Sequence, residues 1–75
     1  MQVRILHIDG EEPWVSSSIL LDIFGITNPA VSKVKRFSAE NSLKLIENAG
    51  WVLSKVTEQD LGVSVLFTKE EVENE

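Results

Sequence analysis

Seventy-five residues and 8.4 kDa give room for one small hydrophobic core and exclude a second lobe or a large enzyme cleft. A composition of 43% hydrophobic and 25% charged residues is that of a folded globular chain and excludes wholesale disorder. Seven basic against twelve acidic residues set a net charge of −5, which discourages nonspecific attraction to nucleic acid or anionic lipid. The absence of cysteine removes disulfides, thiolate metal sites and a cysteine nucleophile, and it fits a reducing cytoplasm. Arg4, Asp9, Glu11 and Glu12 interrupt residues 1–20, against a secretory signal. The longest apolar cluster, Ile19 to Ile26, is broken by Asp22 and too short to span a bilayer. A cytoplasmic protein without a membrane segment is expected.

In chain order, "QVRILHI" reads as a strand, with Val3, Ile5 and His7 on one face and Leu6 and Ile8 on the other. "DGEEP" breaks it, because Asp-Gly favours a turn and Pro13 cannot donate to a ladder. In "WVSSSILLDIFG" one of Ser16 to Ser18 can cap a short helix in which Leu20 and Phe24 lie one turn apart, and Gly25 is a natural stop. "TNPAVSKVKRF" admits both periods, since Val31 and Val34 share a helical face while the same residues alternate as a strand would. The Asn28-Pro29 step favours helix: Asn28 is pushed out of the helical region, where a cap belongs, and proline suits the first helical position.

"SAENSLKLIENAG" is a helix with Ser38 as cap, Glu40 in the first turn, Leu43 and Ile46 as its stripe and Gly50 as its end. "WVLSKVT" and "GVSVLFT", separated by "EQDLG", are expected to pair as an antiparallel hairpin. Trp51 and Leu53 supply one face of the first strand, and Val63, Val65 and Phe67 one face of the second. Residues 1–69 are expected to form a single α+β domain and residues 70–75 an acidic frayed tail.

Charge is unevenly spread. No acidic residue occurs between Asp22 and Glu40, while Lys33, Lys35 and Arg36 place +3 there, so the rest of the chain carries −8.

Taken together, "ILLDIFGITNPAVSKV" resembles the helix-turn-helix unit of DNA-binding regulators: Leu20 and Phe24 on the first helix, Gly25 at the turn, Ile26 after it, then Val31 and Val34 three apart. The resemblance implies a second helix in the major groove presenting Thr27, Asn28, Ser32, Lys33, Lys35 and Arg36, with Lys55 of the wing-like hairpin near phosphate. Leu21 stands where that family usually has a small residue, no helix precedes the unit, and the helix over 39–49 separates the reading helix from the wing. Dimerisation would double the few phosphate contacts available.

A second stretch, "LKLIENAGWVLSKV", resembles small α+β bacterial domains that include RNA-cleaving toxins. Those toxins carry a catalytic histidine in a Gly-Ser-His pattern soon after this unit, whereas this chain has "DLGVSVLF" there. The chemistry therefore does not carry over. His7, the only histidine, is expected to be structural, the three serines are explained by capping, and no catalytic residue, metal site or cofactor is expected. Trp51 is assigned to the core, and Trp14, beside Pro13 and an acidic turn, to partial exposure.

The reading is thus an α+β fold with an N-terminal strand, a helix-turn-helix-like unit, a third helix and a C-terminal hairpin. Its expected function is that of a small noncatalytic DNA-binding regulator or accessory factor whose partner is duplex DNA. The alternative is a β-α-β-β arrangement with residues 30–37 as a strand, serving as an acidic protein-interaction module that binds a protein partner and no DNA.

Overall fold

The computed structural model describes residues 1–27 and 29–70, with residues 30 and 32 described by backbone alone. Mixed helix and antiparallel strand give an α+β architecture in the order β1 (Gln2–Asp9), β2 (Trp14–Ser16), α1 (Ser17–Phe24), α2 (Pro29–Ser32), β3 (Arg36–Ser38), α3 (Ala39–Asn48), β4 (Val52–Gln59) and β5 (Gly62–Lys69). β5 lies between β1 and β4 in a three-stranded sheet, antiparallel to both, and β2 pairs with β3 in a separate two-stranded ribbon. Of the expected acidic tail, only Glu70 falls among the described residues, and it is exposed.

The alternation in β1 and β5 decides which face of the sheet is covered. Leu6 and Ile8 lie opposite Val65 and Val63, and Phe67 continues the same face. Leu6, Ile8, Val65 and Phe67 are buried against Leu20 and Phe24 of α1 and Ile46 of α3. Phe24 sits at the centre, with the rings of Trp51 and Phe67 edge-on at 5.5 and 5.4 Å, a favoured aromatic geometry.

The ribbon launches both major helices. Ser16, the last residue of β2, caps α1 by accepting from the Ile19 amide, and Ser38, the last residue of β3, caps α3 by accepting from the Asn41 amide. Ser17 N–H donates to the Lys35 carbonyl and Ala39 N–H to the Pro13 carbonyl, extending the ribbon by a bond at each end. Strand, serine cap and helix therefore occur twice, antiparallel to each other. α1 ends at Gly25, whose φ of 68° is a left-handed conformation that glycine adopts without strain.

The segment after Gly25 differs from both expectations for it. The expected helix over 29–36 starts at Pro29 but closes after one turn at Ser32, with Val34 N–H bonded to the Val31 carbonyl. The alternative strand over 30–37 is confined to residues 36–38 and pairs with β2, not with the hairpin. The physical reason is burial: Val31 is in the core while Val34 is exposed, so a longer helix has no second inward residue to hold it. Phe37 instead lies opposite buried Val15 and packs against the core.

Candidate interaction surface

Three longer strands and one layer of short helices make a slab, 46 × 29 × 16 Å. The thin dimension fits one sheet with helices on one side only. The other face of the sheet carries Val3, Ile5 and His7 of β1, paired across with Thr68, Leu66 and Ser64 of β5. Val52, Lys55 and Thr57 of β4 continue the same rows opposite Thr68, Leu66 and Ser64. Ile5 is 57% exposed and Val3 43%. A one-sided antiparallel sheet normally turns polar residues to solvent. Here the middle of the solvent face is aliphatic, rimmed by hydroxyls.

β4 extends this surface around the edge of the sheet. All eight of its residues are exposed, because the helices do not reach over it. Leu53 and Val56 point to the helix side of the sheet and still see solvent, and Leu61 at the hairpin tip is 70% exposed. A bulge between Leu53 and Lys55 leaves Ser54 on the bare face, where its hydroxyl meets the Thr68 hydroxyl at 3.0 Å. His7, expected to be a structural residue among apolar neighbours, is exposed on this face, with Nδ1 3.5 Å from the Ser64 hydroxyl, a distance at the limit for a hydrogen bond.

Electrostatically the face is nearly blank. Among the paired residues of this face in β1, β5 and β4, only Lys55 and, at the end of the sheet, Asp9 carry a formal charge. Carboxylates gather instead at one end of the sheet: Asp9 closes β1, Glu11 and Glu12 follow it, and Glu58 and Asp60 flank the hairpin turn, which is tied to β1 through Gly10 N–H and the Leu61 carbonyl.

The residues expected to read DNA are distributed differently. Thr27 is exposed and lines a cleft of about 440 Å³ with Ser17, Ser18, Leu21, Ile26 and Val31. Asn28 lies outside the described residues, and Ser32 contributes only its backbone, at the end of α2. Lys33 is in a turn, Lys35 in a bend and Arg36 in β3; all three are exposed, and none forms a salt bridge among the described residues. The guanidinium of Arg36 lies 5.8 Å from the ring of Trp14, which is 54% exposed. Lys33, Lys35 and Arg36 thus share one loop and strand start, whereas Lys55 lies on the bare face of the sheet, turned away from the helical layer. In the hairpin expected to be wing-like, β5 is the central strand of the sheet.

No helix among the described residues is long and apolar enough to cross a membrane. Comparison with protein-family models, curated proteins and solved structures finds no match to this chain.

The alternation of β1 sets Val3 and Ile5 on the face opposite Leu6 and Ile8, a face with no role evident in the sequence. The available signal was that "VRILHI" has apolar residues on both faces, Val3 and Ile5 on one and Leu6 and Ile8 on the other: a strand covered on one side only should alternate apolar with polar, and a strand apolar on both sides reads as one meant to be covered twice.

Proposed function

We propose that this protein is a noncatalytic protein-interaction module whose contact surface is the bare face of the three-stranded sheet together with strand β4. One observation carries the reading: the aliphatic side chains of Val3, Ile5, Leu66 and Val52 lie together on a sheet face that no helix covers, while the helices occupy the other face. Contiguous apolar surface of a few hundred Å² or more marks interaction sites on soluble proteins. The Phe and Trp residues lie off this face, so His7 is its one ring, and a platform on which successive bases stack is disfavoured. The absence of a carboxylate or histidine pair in register across it leaves it no acid–base machinery.

The reading is tested by placing a photoactivatable residue at position 5 or 56, and at exposed position 47 of α3 as a control, in the producing cell. Protein adducts at 5 and 56 but not at 47 are expected. Equal labelling at all three positions contradicts the assignment.

A second reading, contact with duplex DNA through Lys33, Lys35 and Arg36, is favoured by the exposure of these cations and by the lack of a carboxylate partner for them among the described residues. With a one-turn α2, such contact would be to phosphates and would carry little base recognition. Lys33→Ala with Arg36→Ala would then lower affinity for duplexes of any sequence at low salt by on the order of tenfold. The same affinity in the variant and the parent excludes this loop as the contact.

A further inference from the structure

We infer that the partner of the bare sheet face is a second copy of this chain, packed face to face about a two-fold axis. The inference rests on the interaction reading above and names the partner of that same surface.

Area is the first ground. Three eight-residue strands, at ~3.3 Å per residue and ~4.8 Å between strands, make a face of roughly 26 by 14 Å. Two such faces in contact, with the relief of their side chains, remove on the order of 1,000 Å² of total surface, the lower end for a specific interface. That size suits a concentration-dependent dimer, not a permanent one. Sheets packed in this way keep their strands nearly aligned and interdigitate aliphatic side chains, which Val3, Ile5 and Leu66 provide at the centre.

Charge is the second ground. A chain of net charge −5 meets repulsion from its own copies over most of its surface, and a face whose formal charges in the paired rows are Lys55 and, at one end, Asp9 is where that repulsion is least. The carboxylates of Asp9, Glu11, Glu12, Glu58 and Asp60 at one end of the sheet select the orientation. Opposed strand directions across the interface keep the two acidic ends apart, whereas parallel directions stack them.

The edge of β4 is a poorer route to self-pairing. The bulge before Lys55 disrupts the regular spacing of its free backbone groups, and a lysine on an exposed edge strand is a common guard against addition of another strand. On the face the same lysine stands at the β4 end of the Ile5–Leu66 row, which leaves Val3, Ile5 and Leu66 on the β1 side for the contact.

Sedimentation equilibrium of the full chain, from about 10 μM to about 1 mM, tests this. The expected mass moves from 8.4 kDa towards twice that value, and the dimer fraction rises with salt as like charges are screened. Ile5→Lys should remain monomeric throughout with an unchanged circular dichroism spectrum. Should that variant fail to fold, Ile5→Thr with Leu66→Thr keeps strand-forming residues and should weaken association at least tenfold. A parent chain that is monomeric at every concentration overturns the inference, as does a dimer indifferent to both face variants. A monomeric parent whose position 5 still crosslinks to another protein in the cell overturns self-pairing alone; a monomeric parent with no adduct at position 5 overturns the interaction reading as well.

Discussion

Trp51 shows how single side chains tie the layers together. Its indole N–H donates to the Phe24 carbonyl at the end of α1. Arg4 donates to the neighbouring Ile23 carbonyl, and the Lys69 ammonium donates to the Ala49 carbonyl at the end of α3. Both cations also lie within 6 Å of the Trp51 ring. Neither helix has a basic residue in its own last turn, so β1 and β5 supply the positive charge that helix C-termini favour. Lys69→Met should therefore lower stability by about 0.5–1 kcal/mol, and Trp51→Phe by about 1–3 kcal/mol through the unpaired Phe24 carbonyl, both read from urea unfolding. No change in either would refute this long-range capping. Ser42 predicts the opposite sign. Its hydroxyl is fully buried in α3 with no hydrogen-bond partner among the described residues, so Ser42→Ala should stabilise the fold by up to about 1 kcal/mol, and a loss of stability would show that the hydroxyl has a partner. Burial of Trp51 and exposure of Trp14 were legible in the sequence, since Trp14 follows Pro13 and an acidic turn. The orphaned Ser42 was not: a serine inside a helix carries no mark of which face approaches the sheet.

Among the elements, those with local start and stop signals match the expectation closely. Ser16 with Gly25 and Ser38 with the Ala49-Gly50 end bracket α1 and α3, and the two β-rich runs form the expected β4–β5 hairpin. Ser38→Ala should cost about 1 kcal/mol by leaving the Asn41 amide unpaired, measured by thermal unfolding; an unchanged midpoint would exclude the cap. Gly62 is the tightest point of the sheet, because a Cβ there would run into the Ile8 carbonyl oxygen. Gly62→Ala should therefore cost at least about 2 kcal/mol, and a neutral substitution would contradict the close approach of β1 and β5. The stretch 25–38 was the least legible. Its periodicity fits helix and strand equally, and the outcome depends on Phe37 finding Val15 across the ribbon, a tertiary contact separated by more than twenty positions. Of the apolar residues that carry the helix-turn-helix resemblance, Leu20, Phe24, Ile26 and Val31 are buried and Val34 is exposed.

The whole molecule is a two-layer slab with a small core, and such cores leave little net stability after chain entropy is subtracted. A third layer over Val3, Ile5 and Leu66 would add apolar burial where this chain has none. The surface now assigned a role was half visible in the sequence as the second face of β1. What the sequence lacked was the coverage: that α1 and α3 both fall on the Leu6–Ile8 side follows from the ribbon, not from either helix alone. The central claim, that the sheet face and not residues 25–36 is the working surface, is tested most directly by amide NMR spectra of labelled protein, recorded over a dilution series and then with duplex DNA at low salt. The account predicts concentration-dependent shifts confined to β1, β4 and β5, growing with salt, and none at 29–36 on adding DNA. Spectra independent of concentration, with DNA-induced shifts at 29–36 that fade as salt rises, would contradict it.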